Sequence, residues 1–211
     1  MNAMKMNLPN KLTVLRICLV PILIAVGIIP MNFYISCLVC AILFIGASVT
    51  DMLDGKIARK YGLITDFGKF LDPIADKFMV IGAMFIILYK AEFSNIRLLM
   101  IFTLLLVVFR ELAVTSMRLV VSTGSNIVVA ANNLGKIKTV SQIVAVSTVF
   151  LEPCVQLVAR WIMEAIKGDA LVWRTDIVPL TYITLVFSLV MTVWSGVNYL
   201  AGYWKYLDPE K

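Results

Sequence analysis

Asp51-Met52-Leu53-Asp54-Gly55-Lys56-Ile57-Ala58-Arg59, then eight residues, then Gly68-Lys69-Phe70-Leu71-Asp72-Pro73-Ile74-Ala75-Asp76 is the stretch on which the fold turns. It sets four carboxylates at the ends of two strongly apolar segments, residues 33–59 and 68–89. Ionised carboxylates beside lipid are costly unless positive charge compensates them. On helices, Asp51 and Asp54 (i, i+3) project from one face, and Asp72 and Asp76 (i, i+4) from another. Two such faces can close on a cation from opposite sides, and a divalent metal ion is the simplest compensation.

The rest of the chain supports a membrane setting. Of its 211 residues 61% are hydrophobic and 15% charged, against about 25% charged in soluble domains. Apolar stretches long enough to span a bilayer recur. The fold class is therefore all-α, a polytopic membrane protein with six transmembrane helices, predicted at 13–29, 33–59, 68–89, 96–121, 135–164 and 177–200. No linker or internal repeat divides residues 1–211, so one membrane domain is expected. Pro9 and Pro30 punctuate the first hairpin, and residues 60–67 make the turn between the second and third helices. Asn95 is placed to cap the fourth helix. Residues 122–134 and Lys167 to Asp176 read as loops. Met1 to Asn10 is either a short segment lying on the membrane surface or a frayed terminus. No cleavable signal peptide is evident, so the first helix is expected to stay as an anchor.

Four cysteines are present, and Cys37 and Cys40 have CxxC spacing inside an apolar helix. With no histidine and no second CxxC, they read as buried thiols rather than zinc ligands. The absence of histidine also removes the commonest general base. Acid–base chemistry must fall to carboxylates, lysine or tyrosine.

Six spans put both termini on one side. Of the 19 basic residues, Lys90, Arg97, Arg160, Lys167 and Arg174 fall on the other side, and the rest fall with the termini. The positive-inside rule then places both termini and the acidic stretch in the cytoplasm, in a multi-pass plasma-membrane protein. The net charge of +6 suits anionic lipids and substrates. No soluble basic domain exists to carry nucleic-acid binding.

The donor set, four carboxylates without histidine, suits Mg²⁺ or Mn²⁺, with Ca²⁺ an alternative. Were the motif to handle a nucleoside diphosphate, Gly55, Ala58 and Gly68 would let a base or sugar approach the backbone, and Arg59 would reach a phosphate. Pro73 removes a backbone hydrogen bond between the two acids of its helix.

The pattern D-x2-D-G-x2-A-R-x8-G-x3-D-x3-D resembles the signature of the CDP-alcohol phosphatidyltransferases at all eight positions. The resemblance implies six spans with the motif on the second and third. It implies cleavage of the pyrophosphate of CDP-diacylglycerol or a related CDP-alcohol, with CMP leaving. By this resemblance Asp51, Asp54, Asp72 and Asp76 would ligate one or two Mg²⁺ or Mn²⁺ ions, and Asp76 would act as general base on the acceptor hydroxyl. Asp54, Gly55, Ala58, Arg59 and Gly68 would hold the cytidine diphosphate, with Asp66 near the cytosine or ribose. A homodimer is likewise implied.

Cations at unusual depth mark a second feature. Arg110 and Arg118 interrupt the fourth helix, Lys136 and Lys138 open the fifth, and Lys11 and Arg16 begin the first. Cations at such positions suggest an anionic ligand, a phosphate being the natural guest. Snorkelling to lipid headgroups is the alternative. Thr13, Thr139 and Gln142 are available as neutral donors. Asn7 to Thr13 with Arg16, Arg110-Glu111 with Arg118, Gly135 to Thr139, and Ser195-Gly196 with Tyr199 resemble the phosphatidylglycerophosphate synthases of that family. The implied acceptor is sn-glycerol 3-phosphate, its phosphate held among Arg110, Arg118, Lys136, Lys138, Lys60, Thr13 and Arg16. A cardiolipin synthase, also with an anionic acceptor, is the nearest enzyme alternative. A cation transporter using the four acids, or a silent lipid-binding scaffold, are the readings from other classes.

Overall fold

In the computed structural model, which describes residues 7–62, 65–125, 133–167 and 178–204, the chain forms six long helices. They are α1 (Leu8–Ile28), α2 (Phe33–Tyr61), α3 (Asp66–Tyr89), α4 (Arg97–Ser125), α5 (Asn133–Lys167) and α6 (Pro179–Tyr203). A 3-10 turn, Ala91–Ile96, leads into α4. No strand occurs among the described residues.

Local chemistry sets the boundaries. Asn7 caps α1 by accepting from the Asn10 N–H at 3.1 Å. Pro9 therefore lies in the first turn, where its missing N–H costs nothing, and α1 starts at Leu8 rather than near Thr13. Leu8 to Asn10 thus belong to a helix; Met1 to Met6 lie outside the described residues. Asn32 caps α2 through Tyr34 and Ile35 N–H groups. Gly62, at φ +65, closes α2 in the left-handed conformation that glycine adopts without penalty, its N–H bonding to the Ala58 carbonyl. Thr65 caps α3 by accepting from the Gly68 N–H at 3.1 Å. The turn between α2 and α3 is thereby shorter than residues 60–67.

Three other expectations change. Asn95 sits inside the 3-10 turn Ala91–Ile96 that precedes α4, and its carbonyl accepts from the Tyr182 hydroxyl at 2.8 Å. The stretch 122–134 is helical at both ends, since α4 runs to Ser125 and α5 starts at Asn133; residues 126–132 lie outside the described residues. Of the loop expected from Lys167 to Asp176, Lys167 belongs to α5 and residues 168–176 are likewise outside them.

Burial runs opposite to that of a soluble protein. Ile42, Phe85, Leu105, Phe109 and Trp161 face outward, while Asn10, Arg16, Asp54, Lys138, Gln142, Ser188, Thr192 and Ser195 are buried. An apolar exterior of this extent requires lipid. The protein is an all-α, multi-pass membrane protein. Five helices (α1, α2, α4 with its leading turn, α5 and α6) are long and apolar enough to cross a bilayer. At 24 residues, α3 is about 36 Å long, but its first half carries Asp66, Lys69, Asp72, Asp76 and Lys77. Leu23, Cys37, Cys40, Phe44, Met84, Phe150 and Leu185 join the apolar core between helices. Cys37 and Cys40 are fully buried and unbridged, as their apolar surroundings in the sequence predict. Gly27 lets α1 press on α3: a Cβ there would lie 2.5 Å from Ile86 Cγ2.

Candidate active site

At one end of the bundle, the start of α1, the end of α2 and the start of α3 bring the acids together. The Asp51–Asp54 pair shares a direction. The Arg16 guanidinium on α1 meets both acids of α2, with Nη1 2.5 Å from Asp51 Oδ1 and Nη2 2.5 Å from Asp54 Oδ2. On α3, Asp72 accepts from the Thr13 hydroxyl at 2.6 Å. Arg16 and Thr13 are three residues apart, so one face of α1 meets acids from both motif helices.

Beside these contacts lies a polar cleft lined by Pro9, Asn10, Thr13, Asp54, Gly55, Ala58, Thr65, Gly68 and Asp72. It gathers the predicted small residues Gly55, Ala58 and Gly68 with two of the acids. It also contains Asn10 and Thr65, to which the sequence reading assigned no role. The Thr65 hydroxyl donates to Asn10 Oδ1 at 2.9 Å, fixing the turn before α3 to the first turn of α1. A Cβ on Gly68 would stand 3.0 Å from that Asn10 oxygen, so glycine keeps the cleft open. Asp66, in the first turn of α3, is exposed and does not line the cleft.

The carboxylates fit a hard cation by donor type, and the position of Arg16 shows that positive charge is accommodated against them. Among the described residues, however, no three His, Cys, Asp or Glu side chains are gathered around one point as ligands of an ion.

A second polar cluster lies at the same end, between α3, α4, α5 and α6. Glu111 is its hub. Arg110 Nη1 donates to Glu111 Oε1 at 3.0 Å, Lys138 Nζ pairs with the same oxygen, and Lys77 Nζ lies 3.8 Å from Oε2. Lys77 also donates to the Thr115 hydroxyl at 2.8 Å. Arg110 Nη2 donates to Ser195 Oγ at 2.7 Å, and Arg118 Nη2 donates to the Tyr199 hydroxyl at 2.8 Å. Asp76 stands between the two clusters, within electrostatic reach of Asp51 and Arg16 on one side and of Lys138 and Glu111 on the other.

The predicted acceptor residues thus divide. Arg110, Arg118 and Lys138 come together. Thr13 and Arg16 do not join them, because both face the aspartates. Lys60 is exposed and lies over the Tyr61 ring. Lys136 is exposed at the rim of an apolar groove between α5 and α6. Thr139 bonds its own helix at the Gly135 carbonyl, and Gln142 ties α5 to Thr192 of α6. Glu111, Ser195 and Tyr199 enter the sequence analysis only as parts of resembling stretches; the structure adds their contacts, and those of Lys77, with the cations.

The family model for CDP-alcohol phosphatidyltransferases matches residues 6–194 of the chain. The chain belongs to that family. Relatives agree along almost the full length. A Bacillus subtilis protein named CDP-diacylglycerol–glycerol-3-phosphate 3-phosphatidyltransferase is 37% identical, over 97% of this chain and 98% of its own. Proteins of the same name from Yersinia enterocolitica and Rickettsia bellii are 32% and 34% identical, over 98% and 95% of this chain and 100% and 97% of their own. The CDP-alcohol phosphatidyltransferase match takes in α1 to α5 and most of α6, and with them the four aspartates, Arg110, Glu111, Arg118 and Lys138; Ser195 and Tyr199 lie just beyond its end.

Proposed function

We propose that the chain transfers the phosphatidyl group of CDP-diacylglycerol to sn-glycerol 3-phosphate, giving phosphatidylglycerol phosphate and CMP. One observation carries this reading beyond the family: Asp76 lies between an acid-lined cleft and a cluster of cations. That arrangement suits one carboxylate serving two substrates. The cytidine diphosphate lies in the cleft, against Asn10, Thr13, Gly55, Ala58 and Gly68. The acceptor phosphate rests on Arg110, Arg118 and Lys138. The acceptor hydroxyl oxygen attacks the β-phosphorus, the bond from that phosphorus to the CMP oxygen breaks, and the hydroxyl proton passes to the Asp76 carboxylate. Positioning the two substrates supplies much of the rate, with the cations fixing where the hydroxyl points. Asp51, Asp54, Asp72 and Asp76 would hold Mg²⁺ or Mn²⁺, which when bound neutralises charge on the phosphates and the departing CMP.

In the same reading α3 completes a sixth span. Its polar half lines the site rather than facing lipid, the site and both termini lie on the cytoplasmic side of the plasma membrane, and the chain pairs with a second copy. The cation-transporter reading is weaker. At the far end of the bundle the buried Glu152 carboxylate is taken up by the Leu180 and Thr181 N–H groups at the start of α6, so it does not extend a pathway from the four aspartates.

The test is CMP release by the purified protein in detergent, given CDP-diacylglycerol with and without Mg²⁺ or Mn²⁺. Glycerol 3-phosphate, phosphatidylglycerol, inositol phosphate and serine are compared as acceptors. Metal-dependent release with glycerol 3-phosphate alone is expected. Release with phosphatidylglycerol instead would point to a cardiolipin synthase and overturn the acceptor assignment. No release with any acceptor would overturn the enzymatic reading.

A further inference from the structure

Tyr199 occupies an unusual position. Its ring, on α6, is 3% exposed and meets two guanidinium groups from α4. Arg118 Cζ lies 5.1 Å and Arg110 Cζ 5.6 Å from the ring centroid, both within the range of cation–π attraction. The hydroxyl adds a direct hydrogen bond from Arg118 at 2.8 Å. One turn earlier, Ser195 accepts from Arg110 at 2.7 Å, and a Cβ on Gly196 would sit 3.2 Å from Arg110 Cγ. Gly135, opening α5, faces the same pair: a Cβ there would lie 3.8 Å from Arg110 Nη2 and from the Tyr199 hydroxyl oxygen, an ordinary contact. Glycine at 196 lets α6 close on Arg110. Tyr199 also stacks on Tyr203, with ring centroids 6.2 Å apart and planes 21° apart, which steadies the ring.

Packing alone does not call for this arrangement. Two arginines beside one buried ring repel each other, and a leucine would fill the space without drawing them together. Glu111 offsets Arg110, but it is shared with Lys138 and Lys77. Two guanidiniums held by a common ring and hydroxyl are pre-ordered for a single anion that takes donors from both. Ordering the donors before the ligand arrives removes part of the entropy cost of binding.

We infer that Tyr199 is a positioning residue of the acceptor site: it holds Arg110 and Arg118 on one ring so that together they receive the phosphate of a small phosphomonoester. This rests on the acceptor reading above. It goes beyond it by assigning acceptor affinity to an uncharged residue that contacts the ligand only through its neighbours.

The experiment compares Tyr199→Phe, Tyr199→Leu and Arg110→Ala with the unaltered protein in detergent. It measures the calorimetric affinity for sn-glycerol 3-phosphate, the acceptor KM and kcat, and the KM for CDP-diacylglycerol. Tyr199→Phe keeps the ring and loses the hydroxyl, so acceptor affinity falls and acceptor KM rises roughly tenfold, the size of one hydrogen bond to a charged group. Tyr199→Leu loses both contacts and falls further, toward about a hundredfold. In both, kcat at saturating acceptor and the KM for CDP-diacylglycerol hold. If Arg110→Ala weakens acceptor binding while both Tyr199 variants stay within about twofold of the unaltered protein, well inside one hydrogen bond's effect, this inference fails and the acceptor reading stands. If Arg110→Ala leaves acceptor binding unchanged, the acceptor reading itself fails. If Tyr199→Phe lowers kcat, CDP-diacylglycerol affinity and thermal stability together, the residue is structural and the inference is overturned. Tyr199→Phe decides the matter even where Tyr199→Leu does not fold.

Discussion

Arg16 Nη2 lies 2.5 Å from Asp54 Oδ2, and the two side chains are 2% and 6% exposed. This pair is sealed from water, while Asp51, the second partner of the guanidinium, is 39% exposed. The planar fork of arginine suits two carboxylates one helical turn apart. Breaking a buried pair by removing one partner leaves an uncompensated charge and costs about 3–5 kcal/mol. Arg16→Met should therefore lower the unfolding midpoint sharply in the absence of metal. Adding Asp54→Asn should recover part of the loss, because it removes the stranded charge. A double-mutant cycle by denaturant unfolding in detergent checks this; additive losses would mean that the pair contributes nothing as a pair.

Asp76 stands between the acid and basic clusters, and asparagine keeps the shape of its side chain while removing the charge. Its removal should therefore affect chemistry more than structure. Asp76→Asn should reduce CMP release by about a thousandfold, within the range for loss of a general base, while CDP-diacylglycerol binding stays largely intact. Kinetics and binding measured on the same preparation separate the two. Loss of binding in proportion to rate would place Asp76 in substrate binding rather than proton transfer.

Glu111 gives a prediction of opposite sign for two properties. It is the common counter-charge of Lys77, Arg110 and Lys138, so Glu111→Gln leaves three cations crowded and should lower thermal stability. The same change makes the cluster more positive, and inorganic phosphate should bind it more tightly, by roughly tenfold for one charge at close range. Calorimetry with inorganic phosphate reads the second effect and thermal unfolding the first. Weaker phosphate binding would mean that Glu111 orders the cations more than it neutralises them.

The two halves of the site were not equally legible in the sequence. The aspartates were readable because their spacing follows the helical repeat, and a repeat survives into the structure unchanged. Arg110 and Arg118 were readable as misplaced charges in an apolar helix. Contacts between helices distant in sequence were not. Thr13 and Arg16 carry the same polar chemistry as the acceptor cluster, and nothing local shows that α1 turns them toward α2 and α3. Glu111 adjoins Arg110 in the chain, yet its role depends on Lys138 of α5 and Lys77 of α3. Tyr199 belongs to a stretch that carries the resemblance, yet nothing in the sequence sets the two arginines of α4 against its ring. The helix ends shifted for a similar reason. Asn7, Gly62 and Thr65 fix them by caps of one or two hydrogen bonds, which hydropathy does not register.

Gly68 links the start of α3 to the cleft between α1, α2 and α3. Its N–H completes the Thr65 cap at 3.1 Å, and the space beside its Cα belongs to the cleft. A Cβ there would meet Asn10 Oδ1 at 3.0 Å, Thr65 Oγ1 at 3.3 Å and Asp72 Oδ2 at 3.9 Å. Asn10 cannot withdraw freely, because it is 7% exposed and accepts from the Thr65 hydroxyl. Gly68→Ala must therefore push α3 away from α1 or rotate Asn10 into the cleft. Overpacking of this kind costs about 1–3 kcal/mol, and here the cost falls on the cleft proposed for the cytidine diphosphate. The KM for CDP-diacylglycerol should rise by roughly tenfold or more, with the acceptor KM unchanged, since Arg110, Arg118 and Lys138 lie in the other cluster. Paired KM measurements, each with the second substrate saturating, test this. A rise in the acceptor KM alone would show that the two substrates have been assigned to the wrong clusters.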